Sequence, residues 1–400
     1  MEKNLLVLSL MSSINGLACS LFWTIFNLYL WDIGFSLLEI SILNASATII
    51  SLLFSRFFGK LSDYTRKKPF IATQFFLNSI IFLIFYLVIS MGMTRFNIFI
   101  ILYIMLGFAG SIGGGALMAA VTTSFRRKRT GEATGTFLSF SAIGWTVGSF
   151  LSGFIADNFG ILYITLSASL LIFVSEVLLL LGYSEVYVKR ERKTLREIFA
   201  ETWSLQIEGD TRSLLLLFLV IALFNFGGAI YNLAFTIKMY IIFETKTMFG
   251  VISGFCGISN MIAPYLVGRY SDRVSKEKML LGGLIVRDIF MLYLAISWSK
   301  IATIIFMVTP MWVFINIPIV SLTTEYSGLG HESETQSIRG IVAGCFSTIG
   351  SITSGVIAEM IDLRNNISAM YIILLIGCVF YFMALIPSII LRKNHIASRY

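Results

Sequence analysis

Gly59-Lys-Leu-Ser-Asp63-Tyr-Thr-Arg66-Lys67-Lys68 returns later in the chain as Gly268-Arg-Tyr-Ser-Asp272-Arg-Val-Ser-Lys276-Glu-Lys278. The leading glycines are 209 residues apart (268 − 59), and so are the aspartates (272 − 63). Each copy reads as a short charged loop between two long apolar runs. A second echo sets Gly148-Ser-Phe-Leu-Ser-Gly153-Phe-Ile-Ala-Asp157 against Gly350-Ser-Ile-Thr-Ser-Gly355-Val-Ile-Ala-Glu359, at an offset of 202 (350 − 148). Self-similarity at this spacing in an apolar chain marks two related halves joined end to end.

Hydrophobic residues make up 57% of the chain and charged residues 13%, against roughly 45–50% and about 25% for a soluble domain. So few charges cannot cover the surface of a water-soluble protein of this length, and whole runs of about 20 residues lack any charge. Cys19, Cys256, Cys345 and Cys378 each stand alone inside an apolar run, without metal-ligand spacing, and read as small core residues. The two histidines, His331 and His395, lie apart in polar segments, so neither a metal nor another cofactor is expected. The opening run to about Trp31 is too long for a signal-peptide core and reads as a retained span.

Apolar runs predict twelve spans, near 5–31, 37–58, 70–92, 97–124, 133–156, 161–183, 213–240, 248–267, 279–298, 301–326, 337–359 and 368–391. The expected fold class is an all-α polytopic membrane protein with twelve transmembrane helices in two pseudo-symmetric six-helix bundles. The bundles would occupy 1–183 and 213–400, with 184–212 as the linker. In that linker Leu195, Ile198, Phe199 and Trp203 share a helical face among basic residues, which suggests an interfacial helix; a solvated connection is the other reading. Twenty-two of the 30 Lys and Arg fall on the side that holds both termini and the loops after even-numbered spans, and five on the other side. That bias predicts a multi-pass cell-membrane protein with both termini cytoplasmic, and it explains the net charge of +8 better than nucleic-acid binding does.

Twelve spans, two halves and a G-x-x-x-D-basic segment after spans two and eight resemble the major facilitator superfamily over almost the whole chain. The family's segment reads G-x-L-A-D-x-x-G-R-K. Gly59, Leu61, Asp63, Lys67 and Lys68 match it, with Arg66 in place of the second glycine. Gly268, Asp272 and Lys276 match in the second copy, where Ser275 replaces that glycine. The resemblance implies a cytoplasmic latch built on Asp63 and Asp272, with Gly59 and Gly268 allowing the turn after each span. Arg66, Lys67, Arg273, Glu325 and Arg339 near other cytoplasmic ends would assist; topology alone is the competing role for these charges. Span five is similar to the family's antiporter pattern through Gly135, Gly144, Gly148 and Gly153, although Ser149 stands where that pattern has proline. Gly144 and Gly148 equally form a G-x-x-x-G packing face. Span four lacks the arginine that many proton-driven drug exporters of the family carry, which argues against a standard one.

The resemblance also implies that spans one, four, seven and ten line the solute path. In span one, Ser12, Asn15, Cys19, Trp23 and Asn27 share a face. Asn225, Gly228, Asn232 and Thr236 do so in span seven, with Tyr231 alongside, and Thr309, Trp312, Asn316 and Thr323 in span ten, between Pro310 and Pro318. Candidate solute-binding residues are therefore Asn15, Trp23, Asn27, Asn225, Tyr231, Asn232, Trp312 and Asn316. Each amide can instead bond a neighbouring helix. These stripes hold no carboxylate, which suits a neutral or amphipathic solute. Glu176 in span six and Asp288 in span nine are candidate proton carriers, since an intramembrane acid is a functional candidate by default. Lys238, near the end of span seven, reads as a snorkelling lysine.

The expected function is secondary active or facilitative transport of a small solute by rocker-switch alternating access. The alternatives are a proton-driven multidrug antiporter and a non-transporting sensor or scaffold of the same fold. No catalytic constellation and no G-x-x-x-x-G-K-[ST] loop is found, so the protein reads as no enzyme. Expected partners are the small-molecule solute, protons where transport is coupled, and the lipid bilayer, with no nucleic acid. The chain is expected to act as a monomer.

Overall fold

A computed structural model describes residues 3–123, 130–185, 197, 210–271, 275–327 and 332–397. Its elements are α1 (Lys3–Asp32), α2 (Leu37–Tyr64), α3 (Lys67–Ser90), α4 (Phe96–Thr123), α5 (Thr130–Asn158), α6 (Ile161–Gly182), α7 (Thr211–Phe243), α8 (Lys246–Ser271), α9 (Lys276–Ile296), α10 (Lys300–Val308), α11 (Val313–Tyr326), α12 (Glu332–Met360) and α13 (Met370–Ala397), with a 3₁₀ turn at Ile367–Ala369 before the last. Eleven stretches of the described residues are long and apolar enough to cross a membrane, α10 and α11 counting as one; α8, which opens on Lys246 and carries Asn260, is the remaining expected span. Most of the expected linker helix lies outside the described residues.

The tenth span departs from a single rod. It breaks at Thr309–Trp312 into α10 and α11, because Pro310 lacks an N–H and disfavours helical geometry at Thr309. Backbone groups freed inside a membrane need new partners. Met311 N donates to the Thr309 carbonyl at 2.8 Å, and Val313 N donates to the Pro310 carbonyl at 3.1 Å. Pro318 sits inside α11 without ending it.

Contacts group the chain into two compact units. The first comprises 1–34, 46–204 and 244–258; α1 packs along α5 and α6, and α3 along α4 and α6. Its centre is aromatic: Phe22 stacks on Phe26 at 4.1 Å and meets Phe82 edge-on at 4.6 Å, with Phe85, Phe99 and Tyr103 around them. Each such pair contributes about 0.5–1.5 kcal/mol beyond area burial. Glycine sets the α1–α5 spacing. A Cβ on Gly16 would stand 2.5 Å from the Ser141 carbonyl oxygen, one on Gly148 2.5 Å from that of Leu17, and one on Gly144 would overlap Ser13.

The second unit comprises 35–45, 205–243 and 259–400; α7 packs along α12 and α13, and α9 along α13 and α11. Its α7–α12 contact repeats the α1–α5 contact. Gly350, the echo of Gly148, backs onto Phe226 as Gly148 backs onto Leu17, and 226 − 17 is again 209. The echoed glycines of span five and span eleven are thus close-packing positions.

Candidate functional site

The acids that end the second echo each bond the start of a distant helix. In the first unit, Asp157 at the end of α5 accepts from Thr247 N and Thr247 Oγ1, both at 2.7 Å, in the first turn of α8. A carboxylate at a helix N-terminus satisfies unpaired N–H groups and meets the positive end of the dipole. Gly153, one turn earlier, leaves room for the backbone of Lys246 and Thr247, and Gly250 returns the favour against Ser149 and Gly153. Lys246 pairs with Asp32 at 2.6 Å. In the second unit, Glu359 at the end of α12 accepts from Ser36 Oγ at 3.1 Å, at the start of α2. Ser36 and Glu39 form a capping box there, with Ser36 N on Glu39 Oε2 at 2.8 Å and Glu39 N on Ser36 Oγ at 3.1 Å. Gly355 leaves room for Leu38, and Arg364 donates to the Phe35 carbonyl at 3.2 Å. The sequence exposed this echo but not its use, because the capped residues lie far along the chain.

At the opposite helix ends, the segment read as a charged loop is helical through Tyr64 in α2 and through Ser271 in α8. Gly59 therefore makes no turn, and a Cβ there would meet nothing within 4 Å; it is Gly115 of α4 whose Cβ would stand 3.3 Å from the Gly59 Cα. Gly268 likewise lies within α8. Asp272 and Arg273 lie outside the described residues, as does the side chain of Asp63. Arg66 precedes α3 as its N-cap residue. The Lys67 N–H donates to Glu185, and Lys68 Nζ donates to the Leu180 and Tyr183 carbonyls at 3.0 and 2.7 Å, capping α6. Glu325 pairs with Lys276, and Tyr326 donates to Glu277 at 3.1 Å. Arg339 donates to Gln336 at 2.7 Å.

The polar stripes sort by unit. On α1, Asn15, Trp23 and Asn27 are half-buried; Cys19 Sγ lies 3.8 Å from Asn15 Oδ1, and Trp23 meets Phe22 and Tyr103 edge-on at 5.2 and 5.8 Å. On α7, Asn225 Nδ2 donates to Ile221 O at 2.7 Å, and Asn232 is exposed. Trp312, at the α10–α11 break, is 38% exposed and donates its indole N–H to Asn260 of α8. Asn316 is half-buried one turn into α11. Asn260 lies outside the repeated segments, so nothing in the sequence singled it out. Tyr231 faces the core rather than the stripe: it is fully buried and donates to Met291 O at 3.1 Å, bracing α7 on α9.

Three buried ionisable side chains also differ from their sequence reading or sharpen it. Lys238 does not snorkel. It is 1% exposed, donates to the Leu294 and Ala295 carbonyls at 2.6 and 3.1 Å, and lies 4.7 Å from the Trp298 ring centroid. It caps the C-terminus of α9, whose carbonyls have no partners within the helix. Glu176 is 8% exposed with Oε2 unpartnered, and Asp288 is 0% exposed with both carboxyl oxygens unpartnered. Of the cysteines, Cys378 alone is buried and Cys345 is exposed, so the small-core reading fits only the former.

The description of the Major Facilitator Superfamily matches residues 8–326. The chain belongs to that superfamily. Multidrug resistance protein MdtG of Escherichia fergusonii is 26% identical over 325 residues, covering 76% of this chain and 73% of the relative. MdtG of Serratia proteamaculans is 27% identical over 321 residues, covering 74% and 72%. Among solved structures, the nucleoside transporter NupG aligns with a TM-score of 0.79 at 13% identity, covering 97% of this chain and 99% of that one. A bacterial homologue of the human lysosomal transporter Spinster, inward-facing and unoccupied, aligns at 0.70 and 12%, covering 96% and 97%. At these identities the structural likeness is one of fold. This superfamily member is a multi-pass membrane transporter.

Proposed function

We propose that the transporter moves a small neutral or amphipathic solute by alternating access, with both termini in the cytoplasm. The observation that carries the reading is the composition of the stripes. Asn15, Trp23 and Asn27 on α1, and Asn225, Asn232, Trp312 and Asn316 on α7 and α11, offer amides and indoles at helical spacing with no carboxylate among them. Such groups recognise hydrogen-bonding or aromatic faces without demanding charge. Asn260 joins them through Trp312. Alternating access also needs closures that break in turn. The Asp157–Thr247 and Glu359–Ser36 caps serve at the ends remote from the basic segments. The Asp63 and Asp272 segments, with Arg66, Lys67, Arg273, Glu325 and Arg339, serve at the cytoplasmic ends.

Multidrug export is the second reading, favoured by the name of the MdtG relatives and by the aromatic character of the chain. A thermal-stability screen of the purified protein against nucleosides, sugars, short peptides and lipophilic cations separates the two. A ligand at about 100 times its Kd stabilises the native state by about 2.7 kcal/mol. A saturable shift abolished by Asn225→Ala and Trp312→Ala supports the stripes as the binding surface, and shifts with lipophilic cations alone favour export. Saturable shifts that survive both substitutions remove the stripes from the site.

A further inference from the structure

The repeat offset that pairs Gly59 with Gly268 also pairs Ser79 with Asp288 and Ser169 with Cys378, each 209 apart. In the first unit this position is a closed polar staple between α3 and α6. Ser79 Oγ donates to the Ser169 carbonyl at 3.1 Å, and Ser169 Oγ donates to the Ser79 carbonyl at 2.8 Å. In the second unit the same place on α9 and α13 holds a carboxyl group and a thiol. Asp288 is fully buried, and neither of its oxygens has a partner. The adjacent cation is turned elsewhere. Arg287 donates to the Tyr381 hydroxyl at 3.2 Å, lies over the Phe224 and Tyr381 rings at 4.9 and 5.3 Å, and has Nε 3.4 Å from Met291 Sδ.

We propose that Asp288 is a proton-binding site of the transporter and that Arg287 is its two-position partner. An unpaired carboxylate in a buried site carries a penalty of several kcal/mol, so the observed arrangement, with Arg287 on Tyr381, is that of the neutral acid. Release of the proton leaves a carboxylate beside a guanidinium one residue away, and Arg287 leaves Tyr381 to meet it. The proton passes between water and Asp288 Oδ, and no other bond changes. The titratable groups facing Asp288 are Arg287 on its own helix and Cys378 and Tyr381 from α13, with Tyr231 of α7 beyond them. Further along the neighbouring helices are Lys238 on the α9 carbonyls, exposed Tyr293 in α9 and Tyr371 at the start of α13, Lys300 at the start of α10, and Glu325 and Tyr326 on Lys276 and Glu277. A metal cation fits the place poorly, because hard cations take six or more oxygen ligands and Asp288 offers two. Glu176 lacks this arrangement: among the described residues no cation is recorded beside it.

The inference rests on the transport reading only for its purpose, so its test uses no solute. Infrared difference spectra of the full-length protein in lipid vesicles, taken between acid and alkaline pH, report the C=O stretch of protonated carboxyl groups. We expect a titrating buried-carboxyl band in the parent protein that is absent in Asp288→Asn and retained in Glu176→Gln. Arg287→Ala should move the disappearance of that band about 1–3 pH units upward, because the carboxylate loses its counter-ion. Tyr381→Phe, which frees Arg287, should move it downward and decides the matter if Asp288→Asn fails to fold. A band that persists in Asp288→Asn, or that responds to sodium rather than to pH, overturns the proposal. Because the band is read without solute, its absence from the parent protein overturns the proton site and leaves the transport reading to the ligand screen.

Discussion

Asp157 and Glu359 hold matching places in the two halves and do the same work, whereas Ser79 and Asp288 hold matching places and do different work. Both acids end a glycine-bearing helix and bond the start of a distant one, Asp157 accepting from the N–H and hydroxyl of Thr247 and Glu359 from the hydroxyl of Ser36. The serine closes a reciprocal staple with Ser169, while the aspartate is left without a partner beside Cys378. Repetition therefore marks what any six-helix half needs: close backbone approach and a capped helix end. Departure from it marks what only one half does. Lys238 belongs with the departures, since the position 209 residues earlier is Tyr29, which cannot cap helix carbonyls with a cation.

The comparison can be broken from several sides. The largest effect is expected at the glycines. Gly148→Val forces a branched side chain into the α1 backbone at Leu17, and Gly350→Val does the same to the α7 backbone at Phe226. Each should destabilise by about 3 kcal/mol or more, seen as loss of the monodisperse folded protein in detergent. If one is tolerated, the two contacts are not equivalent. Next, Lys238→Ala removes a buried cap and its packing, and should lower stability by about 2 kcal/mol in thermal melts, with faster amide exchange at the end of α9. An unchanged melt would return Lys238 to a surface role.

Ser79→Ala and Ser169→Ala should each cost about 1 kcal/mol, the worth of a typical hydrogen bond. Asp288→Asn should cost less than either, since it removes an unpaired acid. A reversal of that order would make Asp288 a structural residue and erase the contrast. Asp157→Asn and Glu359→Gln are expected to cost about 0.5–1 kcal/mol apiece while raising cysteine-reagent access at neighbouring positions. Equal access in parent and variants would deny them a gating part. The smallest effect belongs to Lys246→Ala, because a partly exposed ion pair such as Lys246–Asp32 contributes only about 0.2–1 kcal/mol.

Much of the fold was legible because a bilayer punishes charge and unpaired backbone so severely that spans declare themselves by composition. The two halves and the packing glycines of spans five and eleven followed from repetition. The site was legible only in part. Asn225 and Trp312 could be placed on polar stripes by helical spacing, but the bond from Trp312 to Asn260 joins residues on different helices and has no local signal. Tyr231, which the sequence placed alongside its stripe, turns into the core, where its phenol bonds the Met291 carbonyl.

By itself the sequence determined that this chain is a twelve-span membrane protein in two repeated halves, because apolarity and repetition are properties of a string. Tertiary structure alone decided which acids cap helices, which lysine is buried and which carboxyl is left without a partner. Those depend on which distant residues come within 3 Å, and the same Asp or Lys is a cap, a surface charge or a proton site according to the neighbours that folding supplies.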